Sequence, residues 1–350
     1  MQMPQAAPGA FAPVCRLVPA LASFEVDRPS LFVDVDRVAR QYFALKGGLG
    51  FAQIHYAVKA NPTGDIIERL VAEGAHFDAA SRAETELCLS QGAEARTIFF
   101  GNTIKKPGDI RFAHPAGVTL FAADAAKELE KIAENAPGAE VYIRVLVENT
   151  QADWPLSCKF GRRDAMLPGL FARAVEPGLV SVGLSFHVVS QTRAPAIWTG
   201  LPDQVAAIWR DLEARGYAPT LLNIGGGFPV IYSAPVDSPT AHASQVLAFV
   251  TERFAAVARV MAGPGRGMEA EAGAIHAEVV LVSKTSDDDT QSWVCLDIGR
   301  FSGLAETEGE AIRHQITTAR DEGTILPPPP RGTAQGRRAA PTMHRELMKS

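Results

Sequence analysis

An α/β fold, with a parallel sheet closed into a (β/α) barrel and a separate β region after it, is predicted by three observations. From Ser30 to about Ala262, short apolar runs alternate with amphipathic helical stretches across short loops, and that rhythm implies a parallel sheet. About seven or eight such units can be counted, which suits a closed barrel, with an open doubly wound sheet as the alternative. After Gly273 the apolar runs Ala274 to Lys284 and Ser292 to Asp297 follow one another with no helical stretch between them.

The elements follow in order. Ile54 to Val58 reads as a strand, and Asp65 to Glu73 as a helix stopped by Gly74. His76 to Asp78 is the next strand, Glu84 to Gln91 the next helix, ended by Gly92. Strands are predicted over Thr97 to Phe100 and Val118 to Phe121. The helix Ala125 to Asn135 carries Ala126, Leu129, Ile132 and Ala133 on one face and is stopped by Pro137-Gly138. Strand Glu140 to Val147 closes the first half. The second half gives strand Val180 to His187, helix Pro202 to Arg215 ended by Gly216, strand Thr220 to Ile224, and one long helix from Ser244 to Met261. Asp287-Asp288-Asp289 is an acidic turn between the two late strands. From Thr318 onward, Pro327 to Pro330, Gly332, Gly336 and Arg337-Arg338 leave little apolar periodicity, so this tail is expected to be disordered. The predicted domains are therefore a barrel over 30–272, a β domain from 1–29 with 273–317, and a tail over 318–350.

Composition narrows the function. The chain has 350 residues, of which 47% are hydrophobic and 21% charged, with a formal net charge of −5. That balance is globular and argues against nucleic acid or an anionic membrane as partner. A small molecule or another protein chain fits better. The four cysteines, Cys15, Cys88, Cys158 and Cys295, contain no C-x-x-C pair, so neither a disulfide framework nor a metal site is suggested. The segment Met1 to Ala22 is interrupted by Pro4, Pro8, Pro13 and Pro19 and does not read as a signal peptide. No window reaches the roughly 18 apolar residues of a membrane span. A cytoplasmic location is expected.

Three features carry chemistry. Lys59 ends a very apolar strand, where a barrel places its active site. A desolvated lysine there can attack an aldehyde, although a lysine at a strand end can equally be a surface residue with a buried stem. Gly225-Gly226-Gly227 follows a strand, and Gly263-Pro264-Gly265-Arg266 follows the long predicted helix. Each can wrap backbone amides around a phosphate, or be no more than a turn. A phosphate site is expected on the loops after the seventh and eighth barrel strands, about where these two turns fall. His187, at the end of its strand, can stack on a flat ring or simply pack in the core.

Tyr56-Ala57-Val58-Lys59-Ala60-Asn61-Pro62, Phe77-Asp78-Ala79-Ala80-Ser81, Ser185-Phe186-His187-Val188 and Gly225-Gly226-Gly227-Phe228-Pro229 occur in this order. As an ordered set they resemble the fold-type III pyridoxal-phosphate (PLP) decarboxylases, which act on ornithine, lysine, arginine or diaminopimelate. The stretch from Leu296 to Thr307 is most similar to the bacterial ornithine decarboxylase branch, and the resemblance covers roughly residues 25 to 317. It implies a PLP-binding (β/α)8 barrel of the alanine-racemase type, followed by a β domain that is incomplete.

The same resemblance implies roles. Lys59 would hold pyridoxal 5'-phosphate covalently until the substrate amine displaces it. Asp78 would sit near that lysine and help set its charge, and Arg144 would lie under the cofactor near its phenolic oxygen. His187 would stack on the pyridine ring. Ser190, Gly225, Gly226, Gly227 and Arg266 would hold the phosphate. Glu306 and Glu310 are candidates for the distal amine of the substrate. The family places a glutamate before Pro-Gly-Arg, where its carboxylate pairs with the ring nitrogen. Gly263 stands there instead, which predicts a poorer electron sink. Glu269 and Glu271 are expected on the next strand, pointing elsewhere. The family's Gly-Pro-x-Cys-Asp-Ser motif, which reaches the partner subunit's site, is not found. The chain is therefore expected to be truncated relative to the family, with the tail arising from a frame change in its gene. The implied function is PLP-dependent decarboxylation of a basic amino acid, L-ornithine to putrescine, by a homodimer that the missing motif weakens. Lysine or diaminopimelate decarboxylation, or an impaired PLP-binding homologue, are the alternatives.

Overall fold

A computed structural model describes residues 21, 24, 26–147, 160–176, 178–188, 190–193, 197–232, 235–254, 257–289, 292–310, 312, 314–316 and 337–339. The chain divides into two compact units, 35–230 with 236–270, and 1–34 with 231–235 and 271–350.

The first unit is a closed barrel of parallel strands in sequential order. Its strands are β2 (Gln53–Ala57), β3 (His76–Ala79), β4 (Ile98–Phe100), β5 (Leu120–Ala123), β6 (Glu140–Arg144), β7 (Val180–Ser185), β8 (Leu221–Asn223) and β9 (Arg259–Ala262). The ring closes where Gln53 and Ile54 of β2 pair with Met261 and Ala262 of β9. Helices α1 (Val35–Leu49), α2 (Gly64–Ala72), α3 (Arg82–Ser90), α4 (Pro107–Ala113), α5 (Ala126–Asn135), α6 (Leu167–Val175), α7 (Ile197–Ala214) and α8 (Pro239–Arg253) connect the strands. Phe99, Leu120, Ala122, Tyr142, Val182, Leu221 and Met261 form one buried cluster. Each large apolar side chain buried in this way contributes roughly 1.5–3 kcal/mol.

Local signals explain where the helices start. Ser81 caps α3, its Oγ accepting from the Glu84 amide at 3.2 Å, while Glu84 Oε2 accepts from the Ala80 amide at 2.7 Å. These contacts satisfy donors that the first helical turn leaves unpaired. Ser238 caps α8 with Pro239 following, its Oγ accepting from the Ala241 amide at 3.2 Å. The single helix expected over Ser244 to Met261 is not formed. The chain leaves α8 at Arg253 and re-enters the sheet as β9, the eighth barrel strand. A short, fully buried apolar run such as Val260-Met261-Ala262 has no period that separates strand from helix.

In the second unit β1 (Ser30–Val33) pairs antiparallel with β10 (Gly273–His276). Ser30 to Val33, expected in the barrel, therefore belongs with the late strands. Strands β11 (Val279–Ser283) and β12 (Ser292–Leu296) form an antiparallel pair. In the acidic turn between them, Asp289 Oδ2 accepts from the amides of Thr285 at 3.1 Å and Ser286 at 3.0 Å. Arg337–Ala339, expected to be disordered, form strand β13 and pair with the free edge of β12. The rest of the predicted tail lies outside the described residues. Among the described residues, no helix is long and apolar enough to cross a membrane.

Candidate active site

The functional side chains collect where the barrel strands end. Strand β2 runs into a single 3-10 turn, Val58–Ala60, that carries Lys59. The turn is anchored on three sides. The Ala57 amide donates to Pro264 O at 3.0 Å and the Asn61 amide to Val58 O at 3.1 Å. The Tyr56 hydroxyl lies 3.1 Å from Asn61 O and 2.8 Å from Glu269 Oε1, and Asn61 Nδ2 donates to Glu269 Oε2 at 3.4 Å. Val58 is buried while Lys59 is exposed. The turn thus turns its apolar residue inward and offers its amine to the mouth. Gly265 permits this approach, because a Cβ there would lie 2.9 Å from Ala60 Cβ and 3.3 Å from Ala57 Cβ. Burial pushes the Glu269 carboxyl up to about 7, against the lowering effect of its bonds from Tyr56 and Asn61.

Asp78, on β3, shares the field of this lysine. Burial raises its carboxyl, while the charges of Lys59 and Arg144 lower it. Arg144 ends β6 with its guanidinium 5.4 Å from the Phe160 ring centroid, a cation–π distance. Burial lowers its pKa, and Tyr142, Asp124 and Asp78 pull it back up. His187 lies two residues beyond β7. Burial lowers its pKa to about 3, helped by the charges of Arg144 and Lys59. The imidazole is therefore neutral, and its Nδ1 accepts from the Gly226 amide at 3.1 Å. The ring proton consequently sits on Nε2, and the ring plane is fixed from the glycine turn.

The glycine turn follows β8, the seventh barrel strand. Gly225 and Gly227 have φ of +71° and +101°, which side chains rarely adopt. A Cβ on Gly225 would lie 2.5 Å from Phe186 O, and one on Gly226 2.6 Å from Gly263 O. The turn is thereby pressed against the end of β7 and the end of β9, leaving no room for side chains. The Gly225 amide donates to Asn223 Oδ1 at 2.8 Å. With Gly226 engaged by His187, Gly227 has the one amide of the three without an internal bond among the described residues. Arg266, just past the eighth strand, donates from Nε to Ser190 Oγ at 2.8 Å. Gln191 beside it holds φ +59°, and its side chain bonds Val230 O at 2.6 Å and the Val230 amide at 3.1 Å. That pair of bonds ties the Ser190 loop to the glycine turn.

The structure thus brings Lys59, Asp78, Arg144, His187, Ser190, Gly225, Gly226, Gly227 and Arg266 to one end of the barrel. Glu306 is exposed in the second unit, on the 3-10 segment Ala305–Glu310, and the Glu310 side chain lies outside the described residues. Glu269 corrects an expectation: it ends the short helix α9 (Arg266–Glu269) and reaches the Lys59 turn, rather than pointing away on a strand. The sequence reading also missed Gln191, Asn223 and Gly101. For Gly101 no sequence pattern could have served, since its need is tertiary: a Cβ there would sit 1.8 Å from Asp78 Oδ1.

These residues fit pyridoxal phosphate. A glycine cradle that a Cβ would fill, an arginine held by a serine, a neutral imidazole of fixed plane and an exposed lysine match its phosphate, its ring and its aldehyde. The profile for the pyridoxal binding domain of the pyridoxal-dependent decarboxylases matches residues 35–270. The lysine/ornithine decarboxylase of Selenomonas ruminantium is 31% identical over 282 residues, covering 80% of this chain and 71% of that one. The ornithine decarboxylase of Neurospora crassa is 32% identical over 269 residues, covering 76% of this chain and 54% of that one. The chain thus spans from about half to under three quarters of the length of these two relatives. Among solved structures, the lysine/ornithine decarboxylase of Vibrio vulnificus complexed with putrescine superposes with a TM-score of 0.76 at 28% identity, over 92% of this chain and 90% of that one.

Proposed function

The chain belongs to the pyridoxal-dependent decarboxylase family, and on that footing we propose that it decarboxylates a basic amino acid, L-ornithine giving putrescine. The observation that carries this reading is the exposed Lys59 amine on a braced turn, facing a glycine cradle and a neutral His187. The Vibrio vulnificus neighbour, whose structure holds putrescine, supports a diamine product. When bound, the cofactor supplies an electron sink for the bond to the departing carboxylate. The protein's part is positional and electrostatic. Gly227, Ser190 and Arg266 would take the phosphate, and the His187 ring, planted by Gly226, would lie flat on the pyridine. Lys59 Nζ would yield its place to the substrate amine and return a proton to the α-carbon once the carboxylate has left as CO₂. Glu306 and Glu310 are proposed to receive the distal ammonium, and the working unit is proposed to be a homodimer in the cytoplasm.

The test is CO₂ release from carboxyl-labelled ornithine, lysine, arginine and diaminopimelate with added PLP. Ornithine is expected to turn over fastest, and a faster rate on another substrate would replace it in this reading. A second reading, a PLP-binding homologue impaired in catalysis, is favoured by Gly263 and by the missing Gly-Pro-x-Cys-Asp-Ser motif. It would be supported by a visible cofactor band without CO₂ release from any of the four.

A further inference from the structure

A pyridine ring withdraws electrons well only when its nitrogen is protonated, and a carboxylate at that nitrogen keeps it so. Position 263, beside the cradle, carries no side chain. The site has nevertheless four carboxylates on its elements, of which Asp124 is committed to the Gly161 amide and the Arg162 guanidinium. Glu269 is committed to Tyr56 and Asn61. Glu84 is committed to the Ala80 amide and the capping turn of α3. Asp78 accepts no hydrogen bond among the described residues. Its Oδ2 lies 3.5 Å from where a Cβ on Gly263 would stand, and its Oδ1 occupies the space that a Cβ on Gly101 would take. Gly101 therefore clears the room for this one carboxylate, and its Oδ2 stands within van der Waals reach of position 263.

We propose that Asp78 is the carboxylate that holds the proton on the cofactor's ring nitrogen, so that Gly263 relocates this contact rather than losing it. The proposal rests on the cofactor reading above. Lys59 and Arg144 pull the Asp78 carboxyl toward the ionised form, burial opposes them, and the Glu84 carboxyl on α3 shares its field. Tyr142 lies in the same field. A bound protonated ring would add a third positive charge beside those of Lys59 and Arg144.

The experiment compares the holoenzyme with Asp78→Asn, Gly263→Glu and the double variant. Asn keeps the shape of Asp and removes its charge. The readouts are the PLP dissociation constant and the pH dependence of the visible cofactor band, with turnover third. Asp78→Asn is expected to weaken PLP binding roughly ten-fold to a hundred-fold, the usual weight of a charge-assisted hydrogen bond, and to move the band's midpoint by about 1–3 pH units. Gly263→Glu alone is expected to gain nothing, because two adjacent carboxylates share one proton. In the Asp78→Asn background the same change should restore both affinity and midpoint. An Asp78→Asn protein that binds PLP as the parent does, with the same midpoint, overturns the proposal. So does a Gly263→Glu gain that is as large in the parent as in the Asp78→Asn background. A parent that takes up no PLP overturns the cofactor reading itself and this proposal with it.

Discussion

Glu269→Gln should make the protein more stable at alkaline pH than its parent, and by an amount the structure sets. The carboxyl is raised from an ordinary 4.5 to about 7, chiefly by burial. Its protonated form is thus the one the fold prefers. Below pH 4.5 both folded and unfolded chains hold the proton and the residue costs nothing. As pH rises toward 7 the unfolded chain ionises freely while the folded one resists, so stability falls, and above 7 the whole penalty is present. The gap, at 1.36 kcal/mol per pH unit, is about 3 kcal/mol. Glutamine never ionises and keeps an oxygen for the Tyr56 hydroxyl. It forfeits the bond from Asn61 Nδ2, which spans 3.4 Å, a loss of about 0.5–1.5 kcal/mol. The net gain at pH 8 is then about 2 kcal/mol, and at pH 4.5 the variant should be slightly less stable than its parent. The assay is thermal or urea unfolding of both proteins at pH 4.5, 6 and 8, read as the difference between them so that other titrating groups cancel. At 2–4 °C per kcal/mol for a domain of this size, the difference should change by about 6–12 °C across the range. A difference that stays flat with pH would refute the account of this carboxyl.

Three more perturbations test other parts of the site and core. Lys59→Ala should remove the visible cofactor band and all borohydride-fixed label, and fixation of the cofactor to another lysine would contradict the assignment. Gly226→Ala places a Cβ 2.6 Å from Gly263 O, so the two turns must part. PLP affinity should fall at least about ten-fold, with about 1–3 kcal/mol lost in unfolding experiments, and unchanged affinity would show that the cradle is not the phosphate site. His55 is buried against Phe99 and His76 with neither ring nitrogen bonded, and burial holds its pKa well below 6.5. The unfolded chain takes up the proton first, so stability drains away as pH falls below 6.5. His55→Leu should remove that acid loss and stabilise by about 1–3 kcal/mol; a variant as acid-labile as its parent would argue that His55 is not the group responsible.

The sequence exposed the barrel through its rhythm and the site through glycines and strand ends, because both are local signals. Lys59, the triple glycine and Arg266 each announce themselves by neighbours in the chain. Strand β9 was hidden inside a predicted helix, since a run of three buried apolar residues carries no period. From sequence the Ser30 to Val33 strand reads as part of the barrel, because which sheet a strand joins is decided by its partner, here Gly273 to His276. Glu269 is expected on a strand because its partners Tyr56 and Asn61, 213 and 208 residues away, leave no mark beside it in the chain. Gln191 gives no warning of its left-handed backbone, which its double bond to Val230 sustains. In each case the missing information is a contact with a part of the chain far away in sequence.

The closing seam of the barrel has a consequence for how the protein acquires its cofactor. Lys59 follows the first strand of the ring and Arg266 follows the last, and these two strands meet only at Gln53–Met261 and Ile54–Ala262. About two hundred residues must be laid down and ordered between them before anchor and cradle face each other, and such distant pairings are slow steps in folding. A full-length but half-refolded chain carries every one of the site's side chains and still has nowhere to put the coenzyme. Capture of the vitamin-derived group is then a late event that reports completion of the ring, and its grip afterwards acts as a clasp on the seam that formed last.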